Sequence, residues 1–151
     1  MRGEILGRVA SDLLSVPPLI FRLIRRKLVM TTLEDIDVDI KLLHFEIMKV
    51  LKEEGTLHPR EIGERLLVAK AQMTHLVDKL VELGFVNREM DESDRRTINI
   101  TLTDKGSKML DEQDNIVVNA VRENMAALTD AELEALSHSL RTLRDILFKL
   151  Q

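Results

Sequence analysis

Apolar positions recur with helical spacing almost from the first residue. Ile5, Val9 and Leu13 lie four apart with Leu6 and Leu14 beside them, which predicts a short amphipathic helix over residues 4–15. "VPPL" at 16–19 predicts a break, because Pro18 disfavours helical backbone at Pro17 and neither proline donates a hydrogen bond. A second helix follows, with Ile20, Leu23, Ile24 and Leu28 on one face and Arg22, Arg25 and Arg26 largely off it. "DIDVDIKLLHFEIMKVLKEEG" reads as a turn and then a helix from about Ile40 to Glu54, ended by Gly55.

His58-Pro59 starts a short helix, with proline at its first position and Glu61 where a capping-box acid sits. That helix runs out near Leu67. Another starts at Ala69 or Lys70, carries Met73, Leu76, Val77 and Leu80 on one face, and ends at Leu83-Gly84. Two short helices with a tight connection form a helix-turn-helix pattern, and Gly63 in the first lets them approach closely. The period then changes from helical to alternating. "FVNREM" is a short strand, "DESD" is turn chemistry, and "TINITL" places Ile98, Ile100 and Leu102 on one face.

Thr103 is the N-cap of a long helix that runs through "SKMLDEQDNIVVNAVRENMAAL", with Asp104 favourably placed against its dipole. Thr129 and Glu132 form a capping box for the last helix, whose Leu133, Leu136, Leu140, Leu143, Leu147 and Leu150 are spaced 3, 4, 3, 4, 3. A strict heptad makes a narrow stripe that requires another helix. Part of that stripe serves packing within the chain. The arms at the two ends have little core of their own to cover, which predicts a homodimer held by both termini.

Composition narrows the choice. Aromatics make up 3% of the 151 residues, with no Trp or Tyr, so the core is aliphatic and a helix-dominated fold suits it. With no Cys there are no disulfides, no thiolate metal ligands and no thiol-oxidation switch, in keeping with a cytoplasmic location. No apolar run approaches a membrane span, and "MRGEILGRVASDLL" lacks the apolar core of a signal peptide. The net charge of −4 opposes nucleic-acid binding only as an average, since an acidic body can carry a basic face. His44, His58, His75 and His138 have no ligand spacing, so no metal site and no cofactor is predicted. No nucleophile elbow or glycine-rich phosphate loop occurs, so the chain is not expected to be an enzyme.

A helix-turn-helix followed by a two-stranded hairpin is a winged helix, and Arg95 and Arg96 fall at or just past the tip of its wing. Strand alternation sends the two side chains to opposite sides, one pairing with Asp94 or a nearby acid while the other reaches outward. A guanidinium on a thin β-ribbon can enter a minor groove, where narrow A·T stretches concentrate negative potential.

The stretch "HPREIGERLLVAKAQMTHLVDKLVELGFVNREMDESDRRTINITLTDKG" resembles the winged helix-turn-helix of the MarR family of transcriptional regulators. The "EIGERL" helix, "VDKLVELGFVNR" and "DRR…LTDKG" carry the likeness, over about a third of the chain. It implies a mainly α fold with a small antiparallel β-wing and N- and C-terminal dimerisation helices. The organisation is then N-terminal helices over 1–54, a winged helix-turn-helix over 55–102 and C-terminal dimerisation helices over 103–151. It implies a homodimeric repressor that binds a pseudo-palindromic operator in double-stranded DNA. Two-fold geometry independently asks for half-sites about 10 bp apart.

By position, Arg96 matches the family's minor-groove arginine, with Asp94 and Arg95 supporting it. Lys70, Gln72, Thr74 and His75 occupy the first turns of the recognition helix, where side chains reach base edges or phosphates, and Lys79 is a backbone contact. Ala69 stands where many relatives carry a capping Ser, His58 where a Thr or Ser is usual, and His75 in place of a common arginine. The likeness also implies a small amphipathic or phenolic effector between the dimer helices and the winged domain. Phe21, His44, Phe45 and Met48 are candidates by position, with ordinary core packing the simpler account of each.

Two rivals remain. "FRLIRRKLVM" can be read as a basic amphipathic helix for membrane surfaces, but the fold needs its apolar side for packing, and its arginines can pair across the dimer with Glu34 or Asp35. A winged helix used for protein–protein contact is favoured by the acidic charge and opposed by the wing arginines.

Overall fold

The computed structural model describes residues 1–32 and 42–150; for 25–32 it describes the backbone alone. The turn expected at "DIDVD", the helix start at Ile40, and Glu34 and Asp35 lie outside the described residues. Six helices and two strands follow in the order α1 (Arg2–Thr32), α2 (Leu42–Glu54), α3 (Pro59–Leu66), α4 (Lys70–Glu82), β1 (Val86–Met90), β2 (Ile98–Leu102), α5 (Asp104–Met125) and α6 (Asp130–Phe148). They fall into two compact units, one built from Met1–Lys27 and Val117–Gln151, the other from Leu28–Ile116.

The second unit is a helical bundle with a hairpin attached. Ile47, Met48 and Leu51 of α2, Ile62 of α3, and Met73, Leu76, Val77 and Leu80 of α4 close one core with Val86, Ile100 and Leu110. The apolar positions picked out by helical spacing in α4 are the ones buried. The hairpin is antiparallel, with Val86 opposite Leu102 at its base and Met90 opposite Ile98 at its far end. Leu57 adds a single-residue third strand, exchanging backbone bonds with Ile100 at 3.2 and 2.8 Å. No alternation marks Leu57 as a strand in the sequence, because a one-residue bridge has no period.

Several helix ends follow their expected chemistry. Gly55 leaves α2 at φ +83° and Gly84 leaves α4 at φ +76°, a region that favours glycine. Thr103 Oγ1 accepts the Gly106 N–H at 3.0 Å and donates to the Gly84 carbonyl at 2.7 Å, so it caps α5 and ties that helix to the end of α4. The Thr129–Glu132 box is reciprocal, with backbone-to-side-chain bonds of 2.8 and 3.2 Å.

In the first unit the break expected at "VPPL" does not occur: α1 runs through Pro17 and Pro18. The two rings remove the bonds that residues 17 and 18 would donate. The freed carbonyls belong to Leu13 and Leu14, both exposed residues of the protomer, and a carbonyl open to solvent can do without a protein donor. Arg22 Nε donates to the Pro18 carbonyl at 3.2 Å, supporting the turn that follows. No residue of α6 is buried within the protomer, and Leu136, Leu140 and Leu147 of its heptad stripe are each about two-fifths exposed. Ile5, Val9 and Leu13 of α1 are exposed as well.

Candidate nucleic-acid interface

The site is assembled from the turn between α3 and α4, the first turns of α4, and the wing. The helix-turn-helix corner is tight because Gly63 has no side chain: a Cβ there would lie 3.0 Å from the Val68 carbonyl oxygen and 3.2 Å from Met73 Cγ. The chain leaves α3 through Leu67, at φ 54° in the left-handed region, with a backbone bond from Val68 N–H to the Gly63 carbonyl at 2.9 Å. Ala69 then stands at the N-cap of α4 and makes no side-chain cap bond. The N–H groups of the first turn of α4 are therefore uncapped by any side chain at this position.

Lys70, Gln72, Thr74 and His75 are all exposed, while Met73, Leu76, Val77 and Leu80 seal the opposite face of α4 into the core. Thr74 Oγ1 donates back to the Lys70 carbonyl at 3.2 Å, which leaves its lone pairs facing outward. Lys79 is half-buried and pairs with Glu82 at 3.8 Å. A groove of about 660 Å³ runs beside this helix, bringing Lys70 and Thr74 together with Arg60, Leu67 and Ile98. Sequence reasoning missed Arg60. It lies in the first turn of α3, and only the fold places it on the same wall as Lys70.

The far end of α4 is fixed by Lys105, whose Nζ donates to the Leu83 carbonyl at 2.8 Å and sits 5.3 Å from the Phe85 ring centre. Arg88 of β1 pairs with Asp78 of α4, tying the wing's first strand to that helix.

The wing tip organises itself. Asp91 accepts both the Ser93 N–H at 2.9 Å and the Ser93 hydroxyl at 2.7 Å. Those bonds, with a smaller contribution from the His58 charge, hold the Asp91 carboxyl below the usual aspartate range. Asp94 accepts the Arg96 N–H at 3.0 Å through its side chain and the Thr97 N–H at 3.0 Å through its carbonyl. Arg95 and Arg96 are thus the two central residues of a turn, and the strand starts only at Ile98. The expectation that alternation sends them to opposite sides is corrected, because alternation belongs to strand backbone and these residues are outside it. The Arg96 side chain is 96% exposed, and its Nε lies 3.8 Å from Asp94.

His58 stands at the N-cap of α3 but makes no side-chain cap bond. Glu61 accepts its backbone N–H at 3.0 Å, while its ring turns away to the wing. Of the candidates for an effector cleft, Phe45 and Met48 lie in the core, His44 is buried and Phe21 is about half exposed. Among the described residues no cluster of His, Cys, Asp or Glu is arranged to hold a metal ion, and no helix is long and apolar enough to cross a membrane.

A short positioning helix, a second helix with its polar face outward, and a hairpin with a cationic tip define a winged helix-turn-helix protein. Residues 40–98 match the family model described as the MarR family. The chain is 30% identical over 103 residues to the HTH-type transcriptional regulator YpoP of Bacillus subtilis, covering 68% of this chain and 73% of YpoP. It belongs to the MarR family of helix-turn-helix transcriptional regulators.

Two further relatives are YkoM of Bacillus subtilis, 39% identical over 67 residues, and TtmR of Methylorubrum extorquens, 35% identical over 99. The chain spans 44% of YkoM and 50% of TtmR, about half the length of each. The structure of YusO from Bacillus subtilis superposes with a TM-score of 0.71 at 22% identity, covering 92% of this chain and 96% of that one. BpsR of Bordetella bronchiseptica, whose DNA binding is regulated by 6-hydroxynicotinic acid, superposes at 0.58 and 20% identity, covering 87% and 94%. Likeness at such identities shows the fold alone.

Proposed function

We propose that the chain acts as a homodimeric repressor that reads a pseudo-palindromic operator, with α4 of each protomer in a major groove and each wing at the flanking minor groove. The observation that carries this reading is the division of the second unit into a sealed apolar side and an outward side of donors and cations. Lys70, Gln72, Thr74 and His75 are exposed on one helix, and Arg96 is almost fully exposed at the wing tip.

Gln72 is suited to bond an adenine edge, and Lys70 or His75 a guanine or a phosphate. Lys79 and Arg60 are suited to phosphates, while Asp94 and Arg95 support Arg96. The functional organisation proposed here keeps the boundaries read from the sequence: N-terminal helices at 1–54, made of a dimerisation arm and the entry helix α2, the DNA-binding head at 55–102, and dimerising helices at 103–151. Repression needs only that the bound dimer occupy the duplex that another protein must use. A small amphipathic or phenolic effector would act by changing the spacing of the two heads, since a two-headed reader loses affinity when it no longer matches the helical repeat. The effector reported for BpsR supports this class of regulation.

The test is a DNA selection from a random pool, followed by titration of the recovered fragment at several salt concentrations. Arg96→Ala should weaken binding by tenfold or more, as an order of magnitude, with the dimer intact, and Gln72→Ala should cost ~1–3 kcal/mol at one base position per half-site. Affinity for the recovered fragment no greater than for polymer DNA would favour the rival protein–protein reading, which the net charge of −4 supports.

A further inference from the structure

The DNA-binding reading needs the wing to stand at a fixed angle to α4, yet an isolated two-stranded hairpin is only marginally stable. The base of this wing is anchored in the core by Val86 and Ile100. Its far end has a separate support. The His58 ring Nδ1 lies 3.0 Å from the carbonyl oxygen of Ile98, 40 residues on. A carbonyl only accepts, so Nδ1 carries the hydrogen and donates. Nε2 lies 3.8 Å from Asp91 Oδ2, where the chain has just left β1, and 3.7 Å from Glu61 Oε1 on α3. Met90 and Ile98 form the outermost rung of the hairpin ladder. One imidazole therefore touches both sides of the wing at that rung, while its own backbone is fixed to the first turn of α3 by Glu61 at 3.0 Å.

The geometry points to His58 as a wing-positioning residue: it props the far end of the hairpin against the start of α3 and so sets where Arg96 projects. The charged groups facing the ring are Glu61 from α3 and Asp91 from the wing, and β2 presents the Ile98 carbonyl. Every one of them accepts. A side chain at this position must donate to do the same work, which separates propping from helix capping. Capping needs an acceptor for the N–H groups of α3; propping needs a donor for Ile98.

The inference rests on the proposed DNA-binding role, and three variants of the full chain test it. The probe is the duplex recovered by selection, made with either A·T or G·C pairs where the wing reaches the minor groove. His58→Asp is a strong helix cap but offers only acceptors, and its added negative charge weakens both duplexes alike, so the ratio of the two affinities is the informative quantity. That ratio should fall by about 2- to 10-fold in His58→Asp, the range expected for one net hydrogen bond. His58→Asn keeps a nitrogen donor at the place of Nδ1 and should keep the ratio. Arg96→Ala separates the two claims. If Arg96→Ala abolishes the flank preference while His58→Asp preserves it, or if His58→Asn loses it as fully as His58→Asp, the prop is overturned. If Arg96→Ala itself preserves the preference, the wing's proposed role fails first. The His58 ring is about one-third exposed, and unchanged thermal unfolding of His58→Asp would show that its effect is not a loss of fold.

Discussion

Gly106 shows how a single residue can be fixed by contacts that no local pattern predicts. It lies in the first turn of α5, where a Cβ would stand 2.1 Å from the Phe85 carbonyl oxygen and 2.8 Å from a Leu102 methyl. Backbone cannot step aside as a flexible side chain can. Gly106→Ala should therefore destabilise the protein by roughly 1–3 kcal/mol in urea unfolding, against the gain that alanine brings to an open helix. Asp91 is fixed by local chemistry instead. Its carboxyl titrates below the usual aspartate range because Ser93 stabilises the ionised form. The contribution is fully present above the ordinary aspartate pKa of about 4 and is lost as pH falls through the lower folded value. Hydrogen exchange at the Ser93 amide should accelerate relative to its intrinsic rate across that interval, and Asp91→Asn should remove the dependence. The Asp91–Ser93 turn was legible in "DESD"; the demand for glycine at 106 was not, because it comes from a carbonyl 21 residues earlier.

Among the elements, those with a strong period were the most legible. The apolar positions of α4 and the two strands with Ile100 inward follow directly from spacing. So do the ends at Gly55 and Gly84 and the caps at Thr103 and Thr129. Two readings failed for the same reason: a local rule was applied where its assumption did not hold. Alternation was extended past the end of the strand to Arg95 and Arg96. The rule that paired prolines end a helix assumes that the lost bonds matter, and at Pro17 and Pro18 the carbonyls left over belong to exposed residues. That helix nevertheless bears a cost. Replacing both prolines by alanine should stabilise the helical state of α1 by up to ~3 kcal/mol per proline on the scale for helix interiors, and so raise both its helicity and the thermal midpoint. Circular dichroism during heating measures both quantities, and an unchanged midpoint would count against a helix continuous through this point. The contacts of Leu57 and of the His58 ring lay outside local reading, since each is made to a strand some 40 residues away.

For the molecule as a whole, the largest unmet requirement is on α6 and α1. Leu136, Leu140 and Leu147 share a stripe that the protomer leaves about two-fifths exposed, and the apolar side of α1 is exposed with it. The heptad spacing was visible at once, and its incomplete burial within one chain is what supports a second copy. Leu140→Glu together with Leu143→Glu should give monomers in sedimentation velocity and weaken operator binding much more than either half-site contact alone, since two linked heads bind far more tightly than one. Dimers that persist with both charges in place would remove α6 from the interface.

The tip of the wing is held by hydrogen bonds among Asp91, Ser93, Asp94 and the backbone of Arg96 and Thr97, none of them donated by an arginine side chain. The scaffold and the probe are thus separate letters in the same short word. On the proposed DNA-binding role, a lineage can exchange residues 95 and 96, retuning which stretches of a genome it grips, without having to reinvent the loop that presents them.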